Sequence, residues 1–472
     1  MPNFFATFAL ATYPLFIVGL FLVYRPPVAV ALAFLLAELL LPPEYNLPLS
    51  SPKWLNKATI PPLATIMAAL FFARSYLRRS RPLRGVEWLF VLMFVGSYFT
   101  MSTNQDPMRH GPTTVPGEQF GDFTSDAIRT TVGLWIAFYL GRVMFKTSRD
   151  LVSLCKIMAV AALFYTLPAL WEIRMSPQIQ STVYGYGQGS FLQSMRWGGY
   201  RPNVFTNHGL ELAMIFLLCL VLLVALARAR RRVGPFPTTL ACLYLAFVLV
   251  MCKSAGAMIY ALLFVPLLAF GSPKAQLRMA VLLVAIFVAY PLLRFGDLIP
   301  TKDIGDFLAQ HLSADRAQSL SYRFEMEQGL LNNTRLRPWF GWGGYGRAFI
   351  YDDYSGRALT IPDGWVILQL STRGLVGFFA YFGPFVAAVV RAYRVVPRIK
   401  DRSARLLLCA LTLACAVVLF DLIINSTFPP ILMLLFGALW TLPTAIVAKE
   451  AAAEAAAVEA NVAETAACLP AY

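Results

Sequence analysis

The sequence predicts an all-α polytopic membrane protein with about 12–13 transmembrane helices and one large external loop. Three observations predict it. Apolar residues make up 58% of the 472 residues and charged residues only 14%, against roughly 25% charged in soluble domains; the mean hydropathy is +0.62. The apolar residues are gathered into blocks of about 14–21, the scale of a membrane crossing, separated by short clusters of Arg and Pro. The longest non-apolar stretch, 294–363, comes late and mixes charge with aromatics, so it is expected to fold. The same composition excludes a collagenous, disulfide-stapled or disordered chain. Cys155, Cys219, Cys242, Cys409 and Cys415 lie inside apolar blocks without metal-ligand spacing, where cysteine is usually a small core residue.

In chain order the apolar blocks predict spans over 4–24, 28–41, 60–73, 86–100, 128–141, 151–171, 209–226, 238–252, 255–270, 279–293, 364–390, 406–424 and 430–447. The first block has no basic n-region and no small-residue cleavage site before Arg25-Pro26-Pro27, so it reads as a span rather than a cleaved signal. The second and third are short for a ~30 Å core and imply tilt or partial burial. Basic residues orient the bundle. Arg74, Arg78, Arg79, Arg81 and Arg84 follow the third block, Arg142, Lys146 and Arg149 the fifth, Arg228 to Arg232 the seventh, and Arg391 to Arg405 the eleventh. The positive-inside rule makes these loops cytoplasmic, so most of the net charge of +15 is topology. Short, dispersed juxtamembrane clusters do not make a nucleic-acid surface. Thirteen crossings put the N-terminus outside, unless an early span re-enters. The chain accordingly divides into transmembrane helices over 1–293, an external loop over 294–363 that carries the site, C-terminal spans over 364–447, and an Ala-rich cytoplasmic tail over 448–472.

The external segments 101–127, 172–208 and 294–363 hold the candidate residues. Around Arg323 the pattern is an amphipathic helix with Leu320, Phe324 and Leu331 on one face. Arg323 is either paired with Glu327 one turn on, worth ~0–1 kcal/mol at a surface, or a diphosphate clamp, because guanidinium meets phosphate oxygens bidentately. Gly341, Gly343 and Gly346 match GxGxxG in spacing, but no strand precedes them and no βαβ unit surrounds them. What remains is a loop whose backbone approaches a ligand or another helix, or a plain tight turn. Arg196, Arg201 and His208 precede the seventh span, with His208 placed as a helix cap or interface residue. Lys253 sits between the eighth and ninth spans and Asp421 inside the twelfth; charges at that depth point to function, with snorkelling or an interhelix hydrogen bond as the alternative. No HExxH, paired CxxC, GxSxG or Walker motif occurs, and with three His no metal site or cofactor is expected.

These residues resemble the bacterial O-antigen ligase and O-antigen polymerase superfamily of metal-free membrane glycosyltransferases, which are of the GT-C type. The resemblance is most specific over roughly 320–380. Arg323 opens the loop helix; Pro338-Trp339-Phe340-Gly341-Trp342-Gly343 is the turn after it; Thr372-Arg373-Gly374-Leu375-Val376-Gly377 lies in the span beyond. Arg201-Pro202-Asn203 and His208-Gly209 are similar to an earlier element of the family. Two positions depart from it. Asp363 stands where the ligases carry His, and Lys253-Ser254 stands where they carry a small polar residue and Arg.

The resemblance implies an undecaprenyl-diphosphate-linked oligosaccharide as donor and a glycan hydroxyl as acceptor, in the bacterial inner membrane with the site on the periplasmic face. Asp363 is then the base. Arg323, with Arg201 and Lys253, holds the diphosphate, and His208, Arg347 and Trp342 complete the substrate contacts. Polymerisation of repeat units into an exopolysaccharide or O-antigen is the first expectation, with a flippase and a chain-length regulator as partners. Ligation to lipid A core or to protein is the second. A lipid-linked oligosaccharide flippase or transporter is the rival class; it predicts internal repeats, broken helices and midplane charges.

Overall fold

The computed structural model describes residues 2–48, 54–187, 191–301, 314–360, 364–426 and 428–467, with isolated positions between 301 and 314. Its longer helices are α1 (Phe4–Val23), α2 (Pro26–Leu40), α3 (Ile60–Phe72), α4 (Trp88–Ser102), α5 (Phe120–Thr130), α6 (Ala137–Met144), α7 (Ser148–Met175), α8 (Gly209–Arg228), α9 (Thr238–Met251), α10 (Ala255–Phe270), α11 (Pro273–Phe295), α12 (Ala314–Leu336), α13 (Trp365–Val395), α14 (Arg402–Asp421) and α15 (Pro430–Ala467). A π-helical turn, Thr131–Ile136, joins α5 to α6. Two short hairpins, Met108–His110 with Thr113–Val115 and Met195–Arg196 with Gly199–Tyr200, are the strands among the described residues. Eight helices are long and apolar enough to cross a membrane, and α2, α3, α9 and α10 are shorter apolar helices. The chain is an all-α polytopic membrane protein.

The early helices each join the two ends of the bundle. Asn3 caps α1 and bonds Val183 and Tyr184 at the end that carries the large loops. At the other end Arg25 meets Ser153 and Asp150. From there α2 runs back to Glu38, beside Lys57 in the large-loop end, and α3 descends from Ile60 to the basic segment after Ala73. No re-entrant turn is needed, and the N-terminus shares the end of the large loops. The centre is α8 and α14, whose apolar windows are 83% buried in each. They are apolar on every face because neighbouring helices, not lipid, surround them.

Several charges that read as topology are structural. Arg142 is buried; it donates to Glu87 and to the Arg81 carbonyl at 2.7 Å, shaping the basic turn between α3 and α4. The tail continues α15 without a break to Ala467, and Glu450 accepts from the backbone N–H of Lys400 and Asp401 at 2.9 Å, bracing the α13–α14 turn.

One helix is interrupted in the service of the loop. In α13, Gly374 adopts φ 64° and ψ −173°, which only glycine reaches at low cost, and the helical hydrogen bonds around it are lost. Residues 338–343 replace them. Trp342 and Gly343 N–H donate to the Ser371 and Thr372 carbonyls, at 3.0 and 2.9 Å; Leu375 and Val376 N–H donate to the Pro338 and Trp339 carbonyls, at 2.8 and 3.1 Å. A Cβ at Gly341 would lie 2.6 Å from the Gly374 nitrogen and from the Thr372 carbonyl. The glycine loop therefore approaches a helix.

Candidate functional site

At the large-loop end, a cavity of 690 Å³ opens between α2, α8, α12 and the α14–α15 turn. Its polar wall includes Glu38, Glu44, Lys57, His208, Glu211, Arg323 and Asn425. Most are placed by local rules. Lys57 Nζ lies 2.8 Å from Glu38 and donates to the Phe205 carbonyl at 2.9 Å, so a cation and an anion are buried as an ion pair. His208 caps α8, its Nδ1 accepting from the Leu210 N–H at 3.1 Å. Burial first, then Arg201 and Arg196, lower its pKa, so the ring is neutral near pH 7. Glu211, in the first turn of α8, accepts from the Asn207 backbone and side chain at 2.7 and 2.9 Å.

Arg323 reaches the cavity because α12 is bolted to the end of α11. Arg294, fully buried, donates to the Phe324 carbonyl and the Gln328 amide oxygen, both at 3.1 Å, and lies 3.5 Å from Glu327. Tyr290 donates to Glu327 at 2.6 Å. Burial raises the Glu327 pKa, while Tyr290, Arg294 and then Arg323 draw it down. Glu327 thus serves the α11–α12 junction, and the apolar side of α12 is Leu330 and Leu331, both fully buried.

The other predicted residues separate into three groups. Arg201 and Lys253 stand beside the cavity as one unit, with Arg201 Nη2 donating to the Lys253 carbonyl at 3.3 Å. Lys253 takes φ 53° and points Nζ at the Trp197 carbonyl. Arg201 packs against Gly209, next to His208; burial and Arg196 lower its pKa. The turn that presents it is tied by Glu172, whose carboxylate accepts from the Ile179, Asn203 and Val204 N–H groups at 3.0, 2.8 and 2.8 Å.

Trp342 and Arg347 line neither large cavity of this end, which differs from the substrate contact expected of them. Trp342 Nε1 donates to the Asn333 carbonyl at 2.7 Å, with the Arg337 guanidinium 4.4 Å over its ring. Arg347 is buried and donates to the Pro116 carbonyl at 2.8 Å. Both fasten the loop. Asp363 lies outside the described residues. The residues that follow it pack on the α14–α15 turn: Gly364 against the Ile423 carbonyl, and the Trp365 N–H on the Asn425 carbonyl at 3.2 Å.

Sequence reasoning missed Glu38, Lys57, Glu172, Glu211 and Arg294. Glu38 carried a usable signal, a lone charge inside an apolar block, the same signal read at Lys253 and Asp421. Lys57 lies in a loop of unremarkable composition and became visible only through its partner.

A comparison of the chain with known families matches residues 240–382 to the family described as O-antigen ligase. No curated protein matches the chain. The matched stretch runs from α9 through the Gly374 kink into α13, so it contains Lys253, Arg323 and both halves of the loop–helix pairing. The match supports an O-antigen ligase or polymerase type of function in broad terms, that of a glycosyltransferase-like membrane enzyme. Residues 240–382, about a third of the chain, are thus similar to the O-antigen ligase family.

Proposed function

We propose that the chain polymerises undecaprenyl-diphosphate-linked oligosaccharide repeat units into a surface polysaccharide, by metal-free glycosyl transfer on the periplasmic face of the bacterial inner membrane. The observation that carries the reading is the convergence of Arg323 and His208, from two separated motifs, on one 690 Å³ cavity, with the Arg201–Lys253 unit beside it. In the reaction the acceptor hydroxyl oxygen attacks the anomeric carbon. The bond from that carbon to the diphosphate breaks, and the lipid diphosphate leaves with the bonding pair. Asp363 takes the hydroxyl proton. Arg323, with Arg201 and Lys253, stabilises the charge growing on the diphosphate. A flippase that delivers the donor and a chain-length regulator are the partners this activity calls for.

Ligation is the second reading, favoured by the similarity of residues 240–382 to the O-antigen ligase family. The two differ in product. Membranes supplied with lipid-linked repeat units yield a ladder of lipid-linked polymer under the first, and a single transfer to lipid A core or protein under the second. The transporter reading predicts broken helices, and α13 is broken. Its unpaired backbone groups, however, are taken up by residues 338–343 rather than left for a ligand. Arg323→Ala tests the proposal directly: polymer is lost, lipid-linked repeat units accumulate, and the protein remains folded in the membrane. Polymer at the wild-type level in that variant refutes it.

A further inference from the structure

A second cavity, of 600 Å³, lies beside the first and shares Ala58, Phe428 and Pro430 with its wall. Its volume is within the ~300–1,000 Å³ typical of small-molecule sites. Its chemistry differs from that of its neighbour. Glu118, which is buried, and Asp122 face it together with the Gln369 amide and the rings of Tyr345, Trp365 and Tyr381.

The carboxylates are held in place rather than scattered on a surface. Glu118 accepts from the Gly344 N–H. Asp122 accepts from the Gln119 N–H at 2.8 Å and from the Tyr345 hydroxyl. The cations of the wall are Arg129, which is exposed, and Arg373, which is half-buried and already engaged by Asp126 at 2.6 and 2.9 Å. The π-helical turn and the Gly374 kink both face this space. Gly133 and Leu134 of the π-helical turn line it, and so do Thr372 and Arg373 at the kink of α13. A π-helical turn inside a helix frequently marks a functional site.

We propose that this second cavity is the acceptor subsite, and that it takes an uncharged sugar ring. The inference rests on the transfer reading for the word acceptor. Flat aromatic rings offer stacking surface to the apolar face of a pyranose, while fixed carboxylates and an amide receive its hydroxyl hydrogens. Glu118 and Asp122 stand against an anion here, and the donor diphosphate is assigned to the neighbouring cavity by Arg323 rather than by net charge, since Glu38, Glu44 and Glu211 line that cavity too. The common wall at Phe428 and Pro430 sets the two sugars on either side of one boundary, where a hydroxyl from one cavity meets an anomeric carbon from the other. The same two carboxylates discriminate against an acceptor sugar that carries a carboxylate of its own.

The experiment uses the full chain in lipid nanodiscs and measures glycan binding by saturation-transfer NMR. The probes are neutral trisaccharides of glucose, galactose, mannose and N-acetylglucosamine, and a glucuronate trisaccharide. At least one neutral probe binds, about tenfold or more tighter than the glucuronate. In Glu118→Gln/Asp122→Asn that preference falls below threefold. Tyr345→Phe, which keeps the ring and removes the hydroxyl that anchors Asp122, weakens neutral binding and serves if the double variant does not fold. Arg323→Ala leaves glycan binding within twofold while abolishing transfer, so failure of the transfer reading and failure of the subsite show separately. Absence of binding by every neutral probe overturns the proposal, as does equal binding of the glucuronate by the wild-type chain.

Discussion

At residue scale the site divides into groups that hold charge and groups that hold shape. Arg323→Lys restores little of the activity lost in Arg323→Ala, because an ammonium is a point charge and does not reproduce a two-pronged donor. The measurement is polymer yield in membranes containing matched amounts of each variant. Asp363→Asn tests the base: Asn keeps the size of the side chain but takes no proton, so the variant folds normally and loses polymer. Wild-type polymer from Asp363→Asn removes the residue from that role. His208 gives a pH signature. Its pKa is depressed in the folded chain, so the unfolded chain binds the proton more readily. Its contribution is therefore present above the ordinary histidine value of about 6.5 and is lost as pH falls through the lower folded value. Thermal stability drops on acidification across that interval, and His208→Asn, which keeps a side-chain acceptor for the Leu210 N–H, flattens the drop.

Arg323 was legible in the sequence because it lies on an amphipathic helix within the long non-apolar segment, followed by the Pro338–Gly343 turn. Glu172 was not. Its role exists only where three backbone N–H groups from two distant turns converge on one carboxylate, and nothing in the spacing of the chain announces that.

At the scale of elements, the spans were legible and their contacts were not. Hydrophobic blocks report burial in lipid or protein, so the limits of α1, α3, α8, α9 and α10 fall within about two residues of the apolar blocks. The break in α13 is invisible to such a pattern because Leu375, Val376 and Gly377 keep the segment apolar. Composition also left the glycine run open between a ligand loop and a helix contact. The pairing of residues 338–343 with 371–376 decides for the helix, and it explains why the two motifs belong together: each supplies the hydrogen bonds the other lacks. Gly341→Ala tests the pairing. Its φ of +69° costs a side-chain residue ~1–2 kcal/mol, and the added carbon overlaps the Thr372 carbonyl and the Gly374 nitrogen. The expected outcome is a lower melting midpoint together with protease cleavage within 338–346. An unchanged midpoint means that the loop and helix are not joined in the membrane.

For the whole molecule, the decisive quantity is which side each end faces. Cysteines introduced next to Asp352 are expected to react with an impermeant reagent added to intact cells, and those next to Arg230 and Arg398 to be spared. A cysteine at Asn3 is expected to react with the first group, since Asn3 bonds Val183 and Tyr184 at the large-loop end. Labelling at Arg230 instead of Asp352 inverts the bundle and removes the donor reading with it. The sequence left an odd number of crossings open to an early re-entrant turn. Hydropathy counts blocks but does not say where they end, whereas Arg25 against Asp150 and Asn3 against Tyr184 fix both ends of α1.

The bracing of α13 by an earlier piece of chain also sets an order of events during synthesis. Residues 338–343 leave the ribosome before 371–376 and, with the loop on the periplasmic face as proposed, cross the bilayer first. Until they return, the Ser371 and Thr372 carbonyls and the Leu375 and Val376 amides are unpaired, at a depth where each such group costs several kcal/mol. Insertion of this span is thus completed from the far side, by a segment already exported. A block in export of the loop leaves an unfinished helix in the membrane, exposed to quality-control proteolysis, rather than a folded enzyme that merely lacks its loop.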